Sequence, residues 1–255
     1  MAQSYAVLGA TGNVGQSVLQ SLMDNNREIH AYCRSRQKLK KLSPQIAKAS
    51  NVKVFEGSLS DSALLADCLR GTRAAFLAVA ATGNQPGCSI AQETAHKVIS
   101  ALEELKASHP NERLPKLVVL SSASTEHRLM YDSSNLFLNI LYRAFSNIYD
   151  DLKAAEQYLR SKDALVSVTF IKPGALSVDS PKGHVISLDH AVTPCTFLDL
   201  GGGMLEVADD DTGRYDMKSV AINSNGKVAF PWQAPLLMIR GLIVHFLPFM
   251  YKFVG

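Results

Sequence analysis

The run Tyr149-Asp150-Asp151-Leu152-Lys153 sets a phenol and an ammonium four residues apart. On a helix this spacing stacks two side chains on one face, one turn above the other. An ammonium so placed favours the phenolate and lowers a pKa that is ordinarily about 10. A tyrosine of this kind passes a proton to or from a carbonyl or alcohol oxygen while hydride moves nearby. A second copy, Tyr158-Leu159-Arg160-Ser161-Lys162, follows nine residues later. That separation puts the two tyrosines on opposite sides of one helix, so only one pair can face a reaction. Lys162 falls where the helix must end, just before a strand beginning near Val166, whereas Lys153 lies mid-helix. Tyr149 and Lys153 are therefore the candidate pair. A hydroxyl to hold the substrate oxygen is offered by Leu120-Ser121-Ser122-Ala123-Ser124-Thr125. Ser122 is the first choice there and Ser124 the second.

Hydride chemistry needs a carrier, and Gly9-Ala10-Thr11-Gly12-Asn13-Val14-Gly15 has the character of a dinucleotide loop. It follows a strand-like run and opens an amphipathic helix, the context in which glycines let the backbone approach a pyrophosphate at the helix N-terminus. The spacing is G-x-x-G-x-x-G rather than G-x-G-x-x-G. The next strand-like run ends Tyr32-Cys33-Arg34, where an NAD enzyme places an acid for the ribose 2′-hydroxyl. A guanidinium there matches a phosphate bidentately, so NADP(H) is the expected cofactor. Arg36, Lys38, Lys40 and Lys41 read as a solvated helix face.

These residues need a scaffold that aligns strand ends. Short apolar runs at 5–9, 29–33, 52–55, 74–80, 117–120 and 166–171 alternate with helical stretches such as Val14, Val18 and Leu22. The alternation predicts an α/β, Rossmann-like doubly wound parallel sheet in a single domain, 1–255. Its core is expected over 1–174. A smaller, irregular substrate-side region is expected over 175–255, where the rhythm degrades after Pro173-Gly174. Gly201-Gly202-Gly203 lies among helix-like apolar residues and reads as close packing rather than a phosphate loop.

With 47% hydrophobic and 19% charged residues the chain is of ordinary globular composition. A net charge of +3 gives no reason to expect nucleic acid. Cys33, Cys68, Cys88 and Cys195 are scattered and His residues lack ligand spacing, so reduced thiols and no metal are expected. Asp209-Asp210-Asp211 with Gly213 lacks the downstream Glu of a calcium loop and reads as a solvated turn. The chain opens directly into strand-like Tyr5-Ala6-Val7-Leu8, so a cytoplasmic protein is expected. The apolar stretch 235–254 is interrupted by Arg240, His245 and Pro248. It is expected to dock on the body, at the substrate mouth or in a homodimer, in preference to a membrane contact.

Taken together, the chain resembles the atypical short-chain dehydrogenase/reductase superfamily in its NmrA-like, NAD(P)H-binding branch. The resemblance rests on residues 9–15, Arg34, Gly57-Ser58-Leu59-Ser60-Asp61, Ser121-Ser122, Tyr149 with Lys153, and Lys172-Pro173-Gly174, and runs from residue 3 to about 225. The wording around Tyr5–Gly9 and His30–Arg34 is similar to fungal oxidoreductases of aromatic polyketide pathways, the aflatoxin type among them. Ser58 departs from the family's usual Asp, and Lys172 from its Arg. The resemblance implies that Ser58, Leu59, Ala80, Pro173 and Gly174 join the cofactor site and that Lys153 holds the ribose. It also implies an NADPH-dependent reduction of a carbonyl or related electrophile on a small apolar substrate. Two other activities occur in the branch: isomerisation or ring opening with retained cofactor, and NADP sensing by regulators.

Overall fold

Strands apolar at every position need cover on both faces, and Ala74-Ala75-Phe76-Leu77 is buried throughout. The computed structural model describes residues 3–130 and 132–254, with the backbone alone at Ala47. In chain order the elements are β1 (Ser4–Leu8), α1 (Asn13–Asp24), β2 (Glu28–Cys33), α2 (Arg36–Leu42), β3 (Val52–Glu56), α3 (Ser62–Leu69), β4 (Ala74–Leu77) and α4 (Ile90–Ser108). Then come β5 (Lys116–Leu120), α5 (Asn135–Ala144), α6 (Ser146–Arg160), β6 (Val168–Ile171), β7 (Leu176–Ser177), β8 (His184–Ser187), β9 (Cys195–Thr196) and α7 (Phe197–Asp209). The chain closes with β10 (Ser219–Ser224), α8 (Ala234–Phe246) and α9 (Tyr251–Val254).

The main sheet has the order β3-β2-β1-β4-β5-β6-β10-β8. Every neighbouring pair is parallel except β10 with β8. One face is covered by α1 and α7, around Val18, Leu22, Leu200 and Met204. The other lies under α3, α4 and α6, around Leu65, Val98, Leu152 and Leu159. The chain turns from one side of the sheet to the other between β1 and β4, the crevice where such sheets take ligands.

The stretch 175–255 is less of an appendage than its sequence suggests. β10 pairs with β6 and brings β8 with it, so the sheet is finished by residues beyond 174. α7 serves as a cover helix: a Cβ at Gly201 would lie 2.5 Å from the Ser17 carbonyl oxygen, and one at Gly203 2.5 Å from Ile222. The glycine run is thus close packing. α8 rests on α5 beyond the carboxyl ends of the strands. No helix among the described residues is long and apolar enough to cross a membrane.

Candidate active site

Parallel strands end together, and this gathers residues distant in sequence. After β1, Gly9 takes a left-handed turn (φ +86) that packs it beneath the Ala78 carbonyl, where a side chain would overlap backbone. A Cβ at Gly15 would collide with the Gly9 carbonyl. Gly12 turns its N–H to Gly9 O at 2.9 Å and stands at the N-terminus of α1. The starts of α2, α3, α5 and α7 are capped by Ser35, Asp61, Ser134 and Thr196. α1 has no side-chain cap and no acid in its first turn. Its first N–H groups are left for an outside acceptor, and the glycines leave room for one, so the turn fits a dinucleotide pyrophosphate. Thr11 is half-buried and Asn13 exposed; Val14 faces the core and offers its backbone alone.

At the end of β2 two arginines behave differently. Arg36 donates to Val54 O at 2.9 Å and lies 3.9 Å from Glu56. Arg34 is exposed, and among the described residues its side chain makes no hydrogen bond or ion pair. After β3, the Tyr32 hydroxyl donates to Ser58 O at 2.7 Å and fixes the loop with exposed Ser58 and half-buried Leu59. Ala80 is exposed just beyond β4. Past β6, buried Pro173 accepts from Ala123 N at 2.9 Å, and Gly174 faces the cavity described next.

That cavity, about 650 Å³, is lined by Asn13 from the glycine turn together with Ser122, Ser124 and Tyr149. Tyr149 is only 8% exposed, and its ring packs against Tyr142 and Phe145. Burial pushes its phenol above the ordinary value, while hydrogen bonding from Ser124 and Ser122 pushes the other way. Ser121, the rival serine, turns inward. Its hydroxyl donates to Glu156, which also holds Lys172 Nζ at 2.5 Å. Lys172, 1% exposed, donates to Thr125 Oγ1 at 2.7 Å. Its burial depresses the ammonium pKa, and Glu156 and then Glu126 counter this. This buried network anchors the 121–125 segment that presents Ser122 and Ser124.

Lys153 does not join Tyr149. It is exposed; its Nζ lies 4.4 Å from the Tyr142 ring centroid and donates to the Tyr142 hydroxyl at 3.2 Å. Four residues on a helix overshoot a full turn by about 40°. Tyr149 sits at the edge of the buried face of α6, so that step turns Lys153 to solvent, where Tyr142 and its partner Asp150 receive it. The expected tuning of Tyr149 by this ammonium is therefore absent from the geometry. The second pair lies on the far side: Tyr158 packs on His96 at 3.7 Å between ring centroids, and Lys162 pairs with Glu103 at 2.9 Å. Asp151, between the members of the first pair, accepts from the N–H groups of Ala91 and Gln92 and caps α4.

The other sequence candidates settle as structure. Asp209 pairs with Arg27 at 2.7 Å and Arg73 at 3.6 Å, and Asp211 with Arg73 at 2.8 Å. The four thiols are free. Among the described residues no three His, Cys, Asp or Glu groups gather as for a metal, and no histidine lines the cavity. Sequence reading did not single out most of the cavity's apolar wall, Phe137 and Leu141 of α5 with Phe197, Phe230 and Trp232; Leu237 of α8, also in that wall, belongs to the stretch expected at the substrate mouth. The available signal was large aromatic side chains outside the strand runs, at Phe137, Phe230 and Trp232.

The fold and turn define a Rossmann-type nicotinamide-dinucleotide protein. The sequence matches the NAD(P)H-binding family over residues 9–195. It is 47% identical to oxidoreductase stcQ of Emericella nidulans, over 99% of this chain and 94% of the relative. It is also 47% identical to oxidoreductase aflX of Aspergillus parasiticus, over 98% and 95% of the two chains. Among solved structures it superposes on oxidoreductase ylbE from Lactococcus lactis with a TM-score of 0.65, at 19% identity and 99% coverage of both chains. It also superposes on a short-chain dehydrogenase/reductase from Veillonella parvula in complex with NADP, with a TM-score of 0.64 at 16% identity, covering 91% of this chain and 100% of that one. The chain belongs to the NAD(P)H-binding family and is an oxidoreductase within it.

Proposed function

We propose that this protein is an NADPH-dependent reductase of a carbonyl or related electrophilic group on a small, apolar, aromatic molecule of the polyketide type. The observation that carries this reading is a buried, neutral Tyr149, joined by two serine hydroxyls, in an apolar cavity that begins at the glycine turn. Its volume, about 650 Å³, falls in the range for molecules of a few fused rings. Unengaged Arg34 suits a 2′-phosphate.

When bound, the cofactor supplies hydride. Ser122 and Ser124 orient the substrate oxygen, and Tyr149 gives that oxygen its proton. After product leaves, the phenolate left on Tyr149 regains its proton from water; burial opposes that phenolate and Lys153 is not placed to stabilise it. The aromatic wall excludes water and selects flat substrates.

The test is to follow NADPH absorbance with a panel of two- to four-ring aromatic ketones and quinones. Stoichiometric NADPH loss, abolished in Tyr149→Phe, supports the reading. Product without NADPH loss would assign isomerisation or ring opening with retained cofactor. Tight NADP binding with no turnover of any panel member would leave sensing as the function.

A further inference from the structure

A surface helix ordinarily turns polar side chains outward, and α8 turns mostly apolar ones. Its inner residues Gly241 and Val244 are buried, while Leu236, Ile239 and Phe246 on the outer side are 49%, 56% and 63% exposed. Past Pro248 the apolar surface continues through Phe249 and Phe253, and it begins before the helix at Trp232, 80% exposed. A continuous apolar surface of this kind marks an interaction site.

Charge narrows the occupant. From residue 225 to 255 the chain has no Asp or Glu, but it carries Lys227, Arg240 and Lys252. Asp179, which lines the cavity on this side, is held by Lys182 at 3.5 Å and by the Ala229 N–H at 3.0 Å. A second copy across a two-fold axis would present this same cationic face again, with no acid from 225–255 to answer Arg240 and Lys252. An anionic bilayer surface offers both things this face lacks: an apolar layer for the rings and counter-charge for the cations. The 13-residue α8 ends ahead of Pro248, too short to span and suited to lie in the interface. Tryptophan and tyrosine favour that same depth.

We propose that this face docks on the surface of an anionic phospholipid bilayer, with α8 in the plane of the interface and Trp232, Phe249 and Phe253 in the headgroup–acyl boundary. Docking requires nothing of the chemistry at Tyr149. Its consequence for substrate rests on the reductase reading: Phe230, Trp232 and Leu237 line the cavity, so a lipid-dissolved molecule enters without crossing water.

Trp232 is the single tryptophan of the chain and reports on its own depth. The full-length protein is mixed with phosphatidylcholine vesicles, with or without about 30 mol% phosphatidylserine, and tryptophan emission and flotation are measured. The expected result is a blue shift and co-flotation with the anionic vesicles, weakened by salt, and quenching by lipids brominated high in the acyl chain. Arg240→Gln should lower the apparent affinity about fivefold. Phe249→Ser with Phe253→Ser should abolish flotation with the thermal midpoint of unfolding unchanged. Unchanged emission with protein left in the soluble fraction overturns the proposal, and so does equal binding to phosphatidylcholine alone. A blue shift that follows protein concentration without vesicles, with a dimer in sedimentation, gives the face to a second copy instead.

Discussion

The glycine turn and the cavity meet at Asn13, yet they are made of different material. The turn is nearly all backbone: Gly9 in a left-handed conformation, Gly15 against the Gly9 carbonyl, and an uncapped helix start. The cavity is built largely of apolar side chains, drawn from α5, α6, the 174–179 and 229–233 segments and α8. Backbone recognises what does not vary, the pyrophosphate, and tolerates almost no added atoms. Side chains can be exchanged one at a time, so the same scaffold admits new substrates without disturbing the cofactor.

The comparison can be broken most sharply at Gly15. Gly15→Val drives a side chain into the Gly9 carbonyl, moves the start of α1 and removes its charge-assisted hydrogen bonds. Titration calorimetry should show NADPH affinity falling about 100-fold or more. On the cavity side, Tyr149→Phe should leave that affinity intact and lower turnover by about 100-fold. If Tyr149→Phe weakens NADPH as much as Gly15→Val does, the two regions are not separable. Arg34→Ala should erase a preference for NADPH over NADH of about tenfold, read from the two dissociation constants. The smallest effect belongs to Lys153→Ala. With its ammonium on Tyr142, turnover should change by less than about threefold, the scale of an exposed pair. A loss matching that of Tyr149→Phe would show that Lys153 swings inward when cofactor binds. The pH profile follows from the same burial. Tyr149 stays protonated beyond the ordinary tyrosine value, so reductive turnover should not fall on a tyrosine ionisation below about pH 10.

The glycine turn was legible in the sequence because backbone constraints leave their mark as residue identity. The strand runs were legible because buried parallel strands are apolar at successive positions; five of the six expected runs end within one residue of the observed strands, and 74–80 overshot β4, which ends at Leu77. Tyr149 and its separation from Tyr158 also followed from helix geometry. The direction of Lys153 did not, since it is decided by Tyr142 on α5 and by Asp150. β10 was hidden for another reason. Ser219 and Asn223 interrupt its apolar pattern, and each is buried with partners: Arg160 donates to Ser219, and Asn223 bridges Val192 N and His190 O. Polar residues satisfied across distant segments look like loop in one dimension. The role of the apolar tail was open for a similar reason, because its pattern fits an inward or an outward face equally well.

Asp209 receives Arg27 and the hydroxyl of Tyr5, the latter from 204 positions away. β1 leaves the ribosome long before α7, the helix that covers its side of the sheet. The nascent chain must therefore carry the uncovered apolar faces of Val14, Val18 and Leu22 until α7 has been made. Slow translation or a missing chaperone should harm this protein more than an active-site substitution does, and a chain stopped before Asp209 should be removed by proteases rather than accumulate as a smaller enzyme.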